Sequence, residues 1–285
     1  MESKILLKTW ILAALAMVAF AANSLFCRLA LRESGVDAAL FTAIRIGSGA
    51  VALWAISLSQ KKRLGGDWTS ALAMLTYAIA FSYAYMFLSV GTGALILFGS
   101  VQATMITKGV MSGERLTPLQ ISGLCLGIMG LIVLFLPGLT APPPVGALLM
   151  AVSGMAWGIY SLRGRRIADP LSATAGNFVR AMPIALGISL AFADTQHFDH
   201  TGAVYAVLSG VLASGIGYAI WYSALRNLTA TSAASVQLSV PVITALGGAI
   251  ALSEPITAHL AGASVAILSG IALVILAKAR PRATS

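Results

Sequence analysis

The sequence predicts an all-α integral membrane protein, with ten transmembrane helices arranged as two inverted five-helix repeats. Three observations predict it. First, 58% of the 285 residues are hydrophobic and only 9% are charged. That charged share is about a third of the usual one, and no water-soluble domain could bury so much apolar surface. Second, the cations are sorted to one side of the apolar runs. Third, the second half of the chain repeats polar landmarks of the first at a nearly constant offset. Disorder, collagen-like repeats and a disulfide scaffold are excluded by the same composition.

A hydrocarbon core of about 30 Å needs about 20 helical residues at 1.5 Å each. The first such run covers about residues 8 to 29. Lys4 and Lys8 ahead of it, with Ala19-Phe20-Ala21 inside it, imitate a signal peptide. The apolar stretch continues to Leu31, past that would-be cleavage site, so it reads as a span. The second run, about 38 to 59, stops at the basic turn KKRLGGD. The third and fourth cover about 68 to 90 and 92 to 111, and the fourth ends at SGERLTP. The fifth, about 117 to 136, ends at LPGLTAPPP. The second set covers about 144 to 163, 171 to 193, 202 to 225, 229 to 251 and 257 to 277, with Ser253-Glu254-Pro255 breaking the last two apart. Membrane strands would be near ten residues long with alternating polarity, which these runs are not. The organisation is therefore a first repeat over 1–136, a linker over 137–143, and a second repeat with a C-terminal tail over 144–285.

Charge sets the orientation. With the N-terminus cytoplasmic, fourteen of the eighteen Lys and Arg fall on the inner side, among them Lys8, Lys62, Lys108, Arg163, Arg165, Arg166 and Arg226. Only Arg28 and Arg32 fall outside, and Arg45 and Arg180 lie within spans. This is the positive-inside pattern, and it puts both termini in the cytoplasm. The net charge of +9 reflects topology, which leaves a nucleic-acid partner nothing to explain.

The repeat rests on ordered polar matches. A shift of 137 aligns Ser24 with Ser161 and Arg28 with Arg165. A shift of 135 aligns Arg45 with Arg180, Tyr83-Ala84 with Tyr218-Ala219, and Ser100-Val101-Gln102 with Ser235-Val236-Gln237. A shift of 140 aligns Glu114 with Glu254 and Gly130 with Gly270. Each unit has an odd number of spans, so the second copy enters from the opposite face. Inverted repeats of this kind place a substrate site near the midplane between the copies.

The chain resembles the EamA-type transporters of the drug/metabolite transporter superfamily. The resemblance is carried by the five-plus-five spans, by Trp157-Gly158-Ile159-Tyr160, by Tyr218-Ala219-Ile220-Trp221-Tyr222-Ser223-Ala224-Leu225, and by the Ser253-Glu254-Pro255 turn. It covers nearly the whole chain and looks closest to the YddG-type exporters of aromatic amino acids. The first half departs from the pattern, with Phe20 where Trp is common and Met86 opposite Trp221. The resemblance implies a multi-pass protein of a bacterial inner membrane, with spans 1, 3, 4, 6, 8 and 9 around a central cavity. It also implies export of amino acids, aromatic or neutral, and related small metabolites. A transporter of drugs or sugars, or a proton-coupled one, is the alternative.

The residues support transport over catalysis. All nine carboxylates fall in termini, loops or helix ends, Glu114 and Glu254 among them. An intramembrane Asp, Glu or His is the usual mark of proton coupling, so the reading is facilitated diffusion. No catalytic residues, cofactor or metal ligands are expected: no HExxH, Cys-His pair or phosphate loop is present. Arg45 and Arg180 are costly at mid-membrane. Their repeat equivalence favours a structural role, with binding of a substrate carboxylate as the alternative.

The candidate substrate cavity comprises Tyr83, Gln102, Trp157, Tyr160, Tyr218, Trp221 and Gln237, joined by Asn23 and Ser239. The rings give flat apolar faces with a polar edge, and an amide within lipid must face protein or a wet cavity. Gln102 and Gln237 each lie 19 residues beyond Tyr83 and Tyr218. Hinge candidates are Pro241, Gly215 and Gly217. Gly123, Gly127 and Gly130 make a smooth docking face, and the fifth and tenth spans read as peripheral supports or a dimer face. The expected partners are a small-molecule substrate, the lipid bilayer and, if a homodimer forms, a second copy.

Overall fold

The computed structural model describes residues 2–112, 117–135, 142–165, 167–192, 197–228, 233, 236–237 and 239–277. Glu114, Arg166 and most of the expected linker lie outside these. Ten helical stretches lie among the described residues. They are α1 (Glu2–Arg28, running on as a wider π turn, Leu29–Glu33), α2 (Ala38–Ser59), α3 (Trp68–Tyr85), α4 (Val90–Met111) and α5 (Pro118–Phe135). Then come α6 (Pro144–Gly164), α7 (Pro170–Ala191), α8 (His200–Leu225), α9 (Ser239–Ala251) and α10 (Ala258–Leu276). Inside α8 the segment Ser209–Ile216 is wound as a π-helix.

Among the described residues, five stretches are long and apolar enough to cross a bilayer: Leu7–Glu33, Ala38–Ser59, Val90–Met111, Pro144–Gly164 and His200–Leu225. α3 has 18 residues and stops at Tyr85, short of the expected 90. α7 carries Asn177 and Arg180 within its length.

Helix starts account for five of the nine carboxylates. Asp37, Asp67, Asp169 and Asp199 each cap the helix that follows, accepting a hydrogen bond from a first-turn N–H at 2.8–3.3 Å. Such a cap is worth about 0.5–2 kcal/mol. At α4, Glu254 reaches across the molecule and its Oε2 accepts from the Val90 N–H at 2.7 Å.

Small residues set the packing. α2 lies against α7, α6 against α3 and α4, and α1 against α8 and α9. α5 pairs chiefly with α10. A Cβ on Gly270 would collide with Gly123 O and the Gly127 backbone, so the two helices touch along glycine. The 61–67 turn docks on α7. Gly66 has φ +71, and a Cβ there would strike Asn177. Arg180 Nη1 donates to Gly65 O at 2.7 Å and to Gly176 O at 2.8 Å, tying the turn to its helix.

The hinge candidates fall at irregular backbone. Pro241 is buried in the first turn of the described α9, where its missing N–H costs nothing. Gln237 sits in the turn just before, and Val240 N donates to its carbonyl at 3.2 Å. Gly215 lies in the π segment, and Gly217 follows it directly. A Cβ on Gly217 would come within 3.0 Å of Ala19 on α1.

Candidate functional site

An aromatic cluster occupies the centre of the bundle. Tyr218 of α8 is its hub. Its ring centroid lies 4.6 Å from Trp157, 5.9 Å from Phe20, 5.9 Å from Phe178, 6.1 Å from Tyr160 and 6.3 Å from Tyr77. Trp157 also contacts Phe20 at 5.1 Å and Tyr77 at 5.0 Å. Trp221 meets Phe20 at 5.8 Å. Each such pair is worth about 0.5–1.5 kcal/mol beyond its buried area.

Polar atoms edge the rings. Trp157 Nε1 donates to Gln237 Oε1 at 2.8 Å. Asn23 Nδ2 donates to Tyr77 Oη at 3.0 Å, and its Oδ1 accepts from Ser209 Oγ at 2.6 Å. Trp221 Nε1 donates to Ser161 Oγ at 3.3 Å, and Tyr222 Oη to Tyr160 O at 3.1 Å. Arg45 enters from α2, its Nε donating to Ser214 Oγ at 2.9 Å and its Nη2 to Tyr218 Oη at 2.7 Å. A void of about 10 Å³ lies among Phe20, Ser24, Tyr77, Phe81, Leu97, Phe98 and Trp157.

Of the residues singled out from the sequence, Asn23, Trp157, Tyr160, Tyr218, Trp221 and Gln237 come together here. Gln102 is buried on α4. Tyr83 does not join: it is half-buried near the end of α3, and no ring contact or hydrogen bond links it to the cluster among the described residues. Ser239 is exposed and turns its hydroxyl back to Val236 O. The sequence reading missed Phe20, Tyr77, Phe81, Phe178 and the serines of the π segment. Period was the signal available. Tyr77, Phe81 and Tyr85 recur every four residues along one face of α3, and Tyr83 lies on another. The two arginines part company: Arg180 binds helix and turn carbonyls, whereas Arg45 is wholly buried among the rings.

The two ends of the bundle differ. At the end bearing Lys8 and the 61–67 turn, a vestibule of about 1250 Å³ opens between α4, α6 and the end of α8. Lys108, Arg163, Arg165 and Arg226 line it. Asp67 lines it too and pairs with Arg163 at 2.8 Å. Slight burial acts to raise the Asp67 pKa, but hydrogen bonds from Ser70 and the Arg163 charge outweigh it and hold the carboxyl below its ordinary range. Asp169 behaves alike: burial opposes, and the Lys62 and Ser172 hydrogen bonds prevail. At the other end, Arg28 Nε meets Glu254 Oε1 at 3.0 Å, with side chains only 13% and 17% exposed. Arg28 Nη1 also donates to Tyr85 O at 2.9 Å. This knot joins α1, α3, the start of α4 and the turn before α10.

Comparison with known proteins gives the arrangement its family. The model of the EamA-like transporter family matches residues 7–136 and again 144–276. An uncharacterised protein of Pseudomonas aeruginosa is 52% identical over 94% of each chain. A protein of Salmonella typhimurium named "Probable amino-acid metabolite efflux pump" is 23% identical, over 70% of this chain and 74% of its own. One solved crystal structure covers 92% of this chain and 98% of its own with a TM-score of 0.66; at 21% identity that likeness speaks for the fold alone. Matched along both halves, the chain belongs to the EamA-like transporter family of the drug/metabolite transporter superfamily and is a membrane transporter, not an enzyme.

Proposed function

We propose that this transporter exports amino acids, aromatic or neutral, and related small metabolites across a bacterial inner membrane. It does so by alternating access between two inverted five-span repeats, with both termini cytoplasmic. The observation that carries this reading is the ring cluster about Tyr218, edged by the Asn23 and Gln237 amides. Such a cage offers stacking faces to a side chain and neutral hydrogen bonds to a polar backbone. Asn23, Gln102, Trp157, Tyr160, Tyr218, Trp221 and Gln237, with Tyr77 added, bind the substrate in this reading. The vestibule leads to it from the cytoplasm, and the Arg28–Glu254 knot closes the far side. The Salmonella protein's name is in keeping with this substrate class.

Flux follows the substrate gradient. The capping aspartates and Glu254 are engaged in holding helices, which leaves no described mid-membrane carboxylate to carry a proton. The test is uptake of a labelled amino-acid panel into proteoliposomes of the purified protein. Saturable, unmodified uptake of aromatic or neutral members is expected. Uptake of sugars or cationic drugs with no amino acid transported would overturn the assignment.

A further inference from the structure

Arg45 is the most deeply placed cation described, with 0% of its surface exposed. Its guanidinium lies 5.3 Å from the Tyr77 ring centre and 5.2 Å from that of Phe81. Nε donates to Ser214 Oγ, and Nη2 to Tyr218 Oη at 2.7 Å and Tyr77 Oη at 3.3 Å. All three acceptors are neutral hydroxyls. Nη1 has no hydrogen-bond partner among the described residues. The ion pairs among the described residues are those of Arg28, Lys62 and Arg163; none involves Arg45. A guanidinium stays charged in any protein environment, and an unpaired ion out of water is held at heavy cost. Ring faces and hydroxyls offset part of that cost, and an anion would offset the rest.

The neighbours are set up for one. Tyr77 Oη and Tyr218 Oη both accept from Arg45, and Tyr77 accepts from Asn23 as well. Tyr77 also hydrogen-bonds Tyr218, so one of the two phenolic protons is left to point at a third group. That tyrosine O–H and the unpartnered Nη1 make a pair of donors matched to the two oxygens of a carboxylate. The same Tyr77 and Phe81 rings border the central void, and Trp157 closes it. That void is no larger than about one water, so a substrate enters by parting the rings. The approach favours anions, because the vestibule carries Lys108, Arg165 and Arg226 beyond the paired Arg163.

We propose that Arg45 is the anion anchor of the transport site, taking the carboxylate of a substrate whose apolar body lies against Tyr77, Trp157 and Tyr218. This rests on the reading above and deepens it: the substrates carry a free carboxylate, and an amide or amine in its place is refused.

The experiment measures binding of four probes to the purified full chain: L-phenylalanine, L-phenylalaninamide, phenethylamine and 3-phenylpropanoate. The wild type is expected to bind L-phenylalanine at least tenfold more tightly than the amide or the amine. Arg45→Gln should erase that preference, and Arg45→Lys should keep part of it, since an ammonium has charge without the planar fork. Arg180→Gln should keep it in full. If Arg45→Gln does not purify as a single species, the wild-type probe series and Arg45→Lys decide. Equal binding of L-phenylalanine and its amide by the wild type overturns the anchor and leaves the amino-acid reading standing. Binding of 3-phenylpropanoate without L-phenylalanine upholds the anchor and overturns the amino-acid reading. Binding of none of the four overturns both.

Discussion

Tyr218 shows how one residue can collect a site. It contacts five rings from four other helices and accepts a hydrogen bond from Arg45. Losing a stacked ring or a neutral hydrogen bond costs about 0.5–1.5 kcal/mol. At about 1.4 kcal/mol per decade, Trp157→Ala, Tyr218→Ala and Gln237→Ala should each weaken apparent substrate affinity by a few-fold to about tenfold. Tyr83→Ala and Ser239→Ala should leave it within about twofold, since neither side chain reaches the cluster. Titration of the purified variants with the best panel substrate checks this, and normal binding by the first three would return those residues to helix packing. The polar identities at this scale were legible: Asn23, Trp157, Tyr160, Tyr218, Trp221 and Gln237 stand out from an apolar background. The geometry was not. The constant offset that matches Tyr83 to Tyr218 is a statement of equivalence between the repeats, and it does not say which rings touch. The partner in space is Tyr77, six residues earlier than Tyr83.

Elements show what the sparse charges are for. The sequence put every carboxylate at a helix end or loop, and the structure adds the reason for four aspartates, which cap the helices that follow. Glu254 combines two tasks, since it pairs with Arg28 and receives the first N–H of α4. That pairing joins residues 226 positions apart, so no local pattern reveals it. Exposed ion pairs contribute up to about 1 kcal/mol and breaking buried ones costs about 3–5 kcal/mol. This one lies between, so Glu254→Gln should shift the closed end toward opening by about 1–2 kcal/mol. Cys27, buried beside Arg28, reports it. In a Cys125→Ser background, alkylation of Cys27 should run several-fold faster with Glu254→Gln. An unchanged rate would mean that other contacts close that end.

At the scale of the molecule, charge and vestibule fall at one end. Lys8, Lys108, Arg163, Arg165 and Arg226 all border its cavities. With this end cytoplasmic, a cysteine at Leu64 should label from inside and one at Phe198 from outside, both positions being exposed. Labelling of both from one side would break the ten-span topology. Energetics follow from the same layout. A substrate gradient alone should drive flux into proteoliposomes, and a pH gradient at zero membrane potential should not concentrate substrate. Accumulation that a protonophore collapses would mean that a protonated group takes part in the cycle. The apolar runs, the charge bias and the turns were all readable from composition. Which end stands open was not, because it depends on how the helices lean together.

The π segment of α8 has a genetic consequence. Removing one residue from a regular helix swings everything beyond the cut by about 100°. Deleting Met155 from α6 should turn Trp157 away from Tyr218 and abolish binding. A π turn already holds a surplus residue. Deleting Leu212, half-exposed within Ser209–Ile216, should let that stretch tighten to ordinary winding and leave Tyr218, Trp221 and Tyr222 facing as before. In a deletion scan of the whole gene, this short stretch, like the π turn that ends α1, should stand out as a place inside a membrane helix where losing a codon is survivable.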